Sequence, residues 1–542
     1  MSVYTRRQLL KTGSLAAIAS AVPYNFVRAD NLYLAVPRAD GPELKTLVNA
    51  ALNAATSAGA AYAEVHYRVV REEGWNSFYD AGNYQVPQRS TFVSLGVRSL
   101  VNGYWGFAGS DSIPSLDNAA KLGKDATAQA KTAATGKPRT AELAKAPPVT
   151  GSWVMPVERD PFTDVTFEEK VDFALATSDL FSRVEYATNG RLSAMFHKDE
   201  RTFASSEGSY TTQTTYMTSG DFHFNTAPDI LTDWPLGGTV DFLSPAGAGW
   251  EYIRNAPIRV RAQQLIDNIK TYAKYKPVDV GRYDVVFDSG AMAGMLDVSV
   301  GQATSLPRAL GYDANDAGTS YLKDPFGMVG TFKVGSPLLT VTSNRSMPMG
   351  AATVKWDDEG VAPPEATLVK DGILNDYQTT RESASWLTEY YQKKGVPVQS
   401  NGCAFAYGGM MSPKLQCPNL VMQPGKSETS FADLVAGTKR GMAIRGALVN
   451  SDQQALNVNG YGQYVNEIVD GKLGIALSNV MFNYRGPEFW KNLVAVGGPS
   501  SARQFGFAET TGARGSGYRF GHSISAVPGK VVAVAITDST RK

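Results

Sequence analysis

Few side chains in this 542-residue chain are equipped for covalent or metal chemistry: it holds two cysteines and four histidines. Cys403 and Cys417 stand 14 positions apart. In an oxidising compartment they could close one disulfide, worth about 3 kcal/mol in the chain-entropy model; two buried thiols are an equal alternative, since spacing alone does not fix the geometry. Two isolated cysteines do not make a zinc-ribbon pattern. His66 falls in an alternating apolar pattern and reads as a sheet-face residue. His197 and His223 fall in a long meander and read as surface or turn residues, and His522 follows a Gly-rich stretch near the C-terminus. Asp313-Ala-Asn-Asp-Ala-Gly318 echoes a calcium loop, but its fifth position is Ala and its twelfth is Asp324 rather than Glu, which favours a polar turn. No G-x-S-x-G elbow or P-loop occurs, and Gly512-x-x-Gly515-x-Gly517 does not open a helix after a strand, which argues against dinucleotide binding.

The elements that would position such groups are readable in part. Thr5-Arg6-Arg7-Gln8-Leu9-Leu10-Lys11, an Ala-rich stretch from Gly13 to Val22 and the small-x-small Val27-Arg28-Ala29 form a twin-arginine export signal over residues 1–29. A periplasmic or cell-surface location follows. Cleavage would remove four cations and no acid, taking the net charge from +1 to −3. That charge suggests neither a nucleic-acid nor an anionic-membrane partner. No later segment is a membrane-span candidate.

Asp40-Gly-Pro42-Glu43 opens a helix that stops at Gly59. Tyr62–Val70 and Thr91–Val101 alternate as strands, and Asn102-Gly103 turns the second into Tyr104–Ala108. An Ala/Lys-rich helix follows over about 114–134, then a linker at Ala146–Gly151 and a capping box at Thr166–Glu169. A meander runs from Leu192 to about 225, and a helix occupies about 256–274. The second half opens on a strand, Tyr283–Phe287, and a helix through Met295–Ser305. Short strands at Leu338–Thr342, Ala366–Val369 and Ile475–Ser478 come after it. The expectation is an α+β chain with four parts. The signal is 1–29, an N-terminal α/β domain with an antiparallel sheet is 40–135, a central meander domain is 136–275, and a β-rich C-terminal domain is 280–542.

Several of these segments together resemble the TldD/PmbA metallopeptidase family. Ser57–His66 is similar to its "AGA-x-YAEVR" strand entry, and Gly96–Ala108 to its "GVRVLVDGxWGFA" hairpin. Asp357-Asp-Glu-Gly360 with Val369–Leu374 resembles its "DDEGT…ENGIL" hairpin, Pro418–Gly425 its "TNTYMLPG" segment, and Tyr464–Leu473 its "EAYLIENGKI" strand and turn. Met295–Ser305 resembles its active-site helix, which reads H-E-x-x-x-H. Here Asp297 stands for the first histidine, Val298 for the glutamate and Gln302 for the second histidine.

The resemblance implies a dimer enclosing a chamber, short or unfolded peptides as substrates, and zinc held by the two helix histidines and a cysteine near the C-terminus. It also implies that a metal-bearing subunit can pair with a related one lacking the ligands. In this chain Asp297 still offers an oxygen, but Gln302 offers a neutral amide and Val298 cannot take a proton. No cysteine follows Cys417, so His522 is the remaining candidate for a replacement ligand. Two ligands fall short of zinc's usual three. The expectation is an exported, metal-free and catalytically silent subunit that binds peptides as a homodimer or beside a related subunit, with no cofactor. One alternative is a peptidase with a rebuilt metal site using Asp297, Asp313 or Asp316. Another is a surface-assembly protein reusing the fold.

Overall fold

The computed structural model describes residues 42–78, 88–112, 114–135, 141–182, 187–226, 239–272, 275–409, 411–510 and 519–539. The export signal, the helix cap Asp40 and the Gly-rich stretch around 511–517 lie outside them. Among the described residues no helix is long and apolar enough to cross a membrane.

The first sheet has seven strands and carries the front half of the chain. Tyr62–Phe78 lies between Gln88–Val101 and Ala187–Ser205, antiparallel to both. Tyr104–Ser110 extends one side, and Tyr210–Thr226 with Thr150–Val154 and Thr239–Ala246 the other. The stretches 40–135 and 136–275, expected as separate domains, share this one sheet. Asn102 and Gly103 turn the hairpin with φ of 50° and 81°, as such a tight turn requires.

Alternation along Tyr62–Phe78 assigns its two faces. Val65, Tyr67 and Val69 pack with Leu44, Val48 and Leu122 of helices Pro42–Ser57 and Leu116–Ala133. Glu64, His66 and Arg68 take the other face and are buried as well, because the second half of the chain covers them. There Arg98 bridges Glu64 (2.7 Å) and Glu359 (2.9 Å), and Arg381 N donates to Glu359 Oε2 at 2.7 Å. Arg68 pairs with Asp199 and reaches the Ala406 carbonyl. Burial and the neighbouring Glu359 push the Asp357 carboxyl up to about 7.

His197 corrects the sequence reading. It is a buried residue of Ala187–Ser205 that faces Glu72 at 3.3 Å, not a surface or turn residue. The second layer of structure over the meander made the difference. His66 is buried and 3.0 Å from Glu64. The His223 side chain lies outside the described residues.

The second half contains a barrel and a sheet. Gly281–Phe287, Gly529–Asp538, Val480–Arg485, Asn457–Val469 and Arg440–Ser451 pair in that order, and the last pairs back to the first. Five strands thereby close on themselves. A six-stranded sheet runs Ile373–Leu374, Ala366–Lys370, Val341–Ser343, Leu420–Met422, Arg519–Ala526, Arg503–Thr510. The strand expected at Leu338–Thr342 forms only over Val341–Ser343.

Between barrel and sheet lies helix Ser289–Leu296, capped by Asp288, whose carboxylate accepts from Ala291 N at 2.8 Å. Its small residues let two layers close on it: a Cβ at Gly290 would lie 3.2 Å from Phe505. Met292, Met295, Leu296 and Val300 enter one core with Ile444 of the barrel and Leu420 and Ile524 of the sheet. A helix apolar on all sides belongs inside such a sandwich.

Candidate metal centre

The helix does not end at Leu296. It widens into a π turn over Asp297–Gly301, with Gln302 N donating to Asp297 O at 2.9 Å. An i, i+5 spacing fits a π turn rather than an α turn, and such turns concentrate at functional positions. The Asp297 side chain, on the first residue of this turn, is 13 % exposed.

Two segments of the six-stranded sheet meet it. His522 lies on Arg519–Ala526, 1 % exposed, with its ring stacked 5.4 Å from Phe507 on the partner strand. Its Nε2 is 2.9 Å from Asp297 Oδ1. Cys417 is half-buried, just before Leu420–Met422, which runs parallel to the His522 strand. Side chains flanking Cys417 fix that register. Gln416 Nε2 donates to Gly521 O at 3.0 Å, and Asn419 Oδ1 accepts from Ser523 N at 2.9 Å. Gly521 and Ser523 are the two neighbours of His522, so the cysteine and the histidine are held from both sides.

Donor atoms of Asp297, Cys417 and His522 all lie within 4.8 Å of one another. The set supplies one oxygen, one sulfur and one nitrogen, the three ligand types zinc takes, and leaves a fourth position open. Gly301 lies against the cluster. A Cβ there would sit 3.5 Å from Asp297 Oδ1 and 3.7 Å from Cys417 Sγ. The residues present therefore fit a zinc-like ion.

Gln302 is turned elsewhere: its Oε1 accepts from Arg308 Nη1 at 3.0 Å. Val298 is buried and apolar. Asp316 pairs with Lys414 instead of joining the cluster, and neither it nor Asp313 belongs to a metal-ligand group among the described residues.

Of the two readings left open for the cysteines, the structure shows the free one: Cys403 and Cys417 both remain thiols. Cys403 is fully buried, and burial pushes its thiol up to about 12. Cys417 instead faces Asp297 and His522. No local pattern marks it as a ligand. The available hint was its place beside Pro418–Gly425, one of the family-like segments.

Residues 280–525 match the model of the PmbA/TldA metallopeptidase C-terminal domain. A metalloprotease of Methanocaldococcus jannaschii is 26 % identical over 201 residues, 37 % of this chain and 40 % of that one. A metalloprotease TldD homolog of Haemophilus influenzae is 31 % identical over 110 residues, 20 % of each chain. The chain thus spans less than half the length of these relatives. Two solved structures share the fold. A candidate modulator of DNA gyrase from Bacteroides thetaiotaomicron covers 92 % of this chain and 99 % of its own, with a TM-score of 0.67 at 16 % identity. TldE from Thermococcus kodakarensis covers 91 % and 100 %, with a TM-score of 0.64 at 15 % identity.

Proposed function

Since this chain belongs to the TldD/PmbA family, we propose that it is a metal-binding peptidase of that family whose centre is rebuilt from Asp297, Cys417 and His522. The observation that carries this reading is the meeting of three donors of different type on the turn where the family-like motif has lost its own. The metal-free expectation rested on a count of two ligands, and Cys417 makes it three. A bound zinc ion would polarise a peptide carbonyl and acidify a water molecule.

The chain's own residues set the rest. Asp297 and Cys417 bring two negative charges when ionised, enough to balance a divalent ion, and His522 brings a neutral nitrogen oriented by Phe507. His522 Nε2 lies within hydrogen-bond distance of the Asp297 carboxylate, which as an ionised group can only accept. To hold a metal the Cys417 thiol would have to give up its proton and His522 would have to stay neutral, so affinity should fall with falling pH. Val298 contributes no base, and a positioned base contributes roughly 10²–10⁴-fold in rate. Turnover is therefore slow, with the second oxygen of Asp297 the acceptor at hand. Short or unfolded peptides are the substrate class, a second copy or a related subunit the partner, and export by the N-terminal signal places the reaction outside the cytoplasm.

Metal analysis of the purified protein tests the reading. About one zinc-like ion per chain, and slow peptide cleavage stopped by a chelator, is the expected result. Protein that takes up no metal, and whose Cys417→Ala variant behaves identically, would return the chain to a silent, peptide-binding role.

A further inference from the structure

A cavity of about 640 Å³ opens among residues 309–332, the turn at Gln454–Leu456 and helix Gly486–Lys491. None of Asp297, Cys417 or His522 lines it. Its volume lies in the range of sites for small organic ligands. Lys323, Arg485 and Lys491 line it, and Glu488 is its one lining carboxylate, 3.3 Å from Arg485. The excess of two positive charges favours an anion.

The wall is aromatic and fixed. The Tyr321 and Phe332 rings stand 6.2 Å apart at 47°. Tyr321 is held at both ends, its N donating to Gln454 O at 3.0 Å and its hydroxyl to Ser299 O at 2.9 Å. A flat apolar group therefore meets a surface that pays little ordering entropy. Thr319 and Ser320 add polar groups along the lining.

We propose that this cavity binds a small carboxylate carrying an aromatic ring. The carboxylate meets the three cations, and the ring lies along Tyr321 and Phe332. A peptide ending in an aromatic residue and a free aromatic acid share this chemistry. The assignment does not depend on the metal reading.

Calorimetric titration of the full chain tests it, with three probes: N-acetyl-L-phenylalanine, its neutral amide, and hydrocinnamate, which lacks the backbone amide. The acetyl amino acid is expected to bind, and removing its charge as the amide is expected to weaken binding by about tenfold or more. The double variant Lys323→Ala/Lys491→Ala removes exposed side chains, so it should fold and bind about tenfold more weakly. Binding should be unchanged in Cys417→Ala, which keeps this result separate from the fate of the metal centre. Hydrocinnamate binding as well as the acetyl amino acid supports the site and assigns it to free acids; weaker binding supports it and assigns it to peptide ends. Equal binding of acid and amide, no binding at millimolar concentration, or full affinity in the double variant overturns the proposal.

Discussion

His522 Nε2 lies 2.9 Å from Asp297 Oδ1, although 225 positions of sequence separate the two residues. The contact joins the end of a helix fed by the barrel to a strand of the six-stranded sheet. It puts two metal-competent groups at the seam between these units, with Cys417 as the third.

The thiol distinguishes the proposed centre. Cobalt substitution should give the intense near-ultraviolet band of a thiolate–cobalt bond, because a coordinating thiol is deprotonated outright. Cys417→Ala should remove that band and weaken metal binding by about 10²-fold or more, while Cys403→Ala leaves both unchanged. A band lost in the Cys403 variant and kept in the Cys417 variant would place the metal elsewhere.

A side chain at Gly301 should loosen the proposed centre. A Cβ at this position meets Leu420 Cδ1 at 3.0 Å and touches Asp297 Oδ1 and Cys417 Sγ at 3.5 and 3.7 Å. The leucine methyl can move, so Gly301→Ala should fold. Its metal affinity should drop by about tenfold, since ligand distances are tolerated only within a few tenths of an ångström. Unchanged affinity by competition with a chromogenic chelator would contradict the geometry.

Supplying the absent base should raise activity. Val298→Glu places a carboxylate one residue after Asp297, and a gain of about 10²-fold in peptide cleavage at unchanged metal content is expected. Because Val298 is buried, a stability cost of about 1–3 kcal/mol should accompany it, measured by denaturant unfolding. A stable, metal-loaded variant with no gain in rate would remove water activation as the limiting defect.

Acid should loosen the junction between the halves through Glu64. Burial raises its carboxyl, but Arg98, His66 and Tyr62 more than reverse this and hold it at about 2. Its folded value is below its ordinary 4.5, so its contribution is complete above that pH and is lost as pH falls from 4.5 towards 2. Glu64→Gln should be less stable at neutral pH and should lose less further stability over that acid window. Parallel stability curves for the two proteins would exclude Glu64 from the acid transition.

What the sequence determined by itself was local. Asn102-Gly103 and Asp371-Gly372 specify tight turns because both need positive φ, and both adopt it. Alternation specified the strands at Tyr62–Val70 and Thr91–Val101, and the family-like motif pointed to the helical segment that carries Asp297. Tertiary structure decided which residues stand around that helix. Cys417 meets His522 because Leu420–Met422 runs parallel to Arg519–Ala526 in register, Leu420 beside Ile524. Such pairing across about a hundred residues is set by burial of two apolar strands against one helix, and it leaves no periodic trace near either residue. Cys403 and Cys417, which spacing alone had allowed to bond, both remain thiols. A ligand set is a matter of distance in space, and the chain's own order does not carry it.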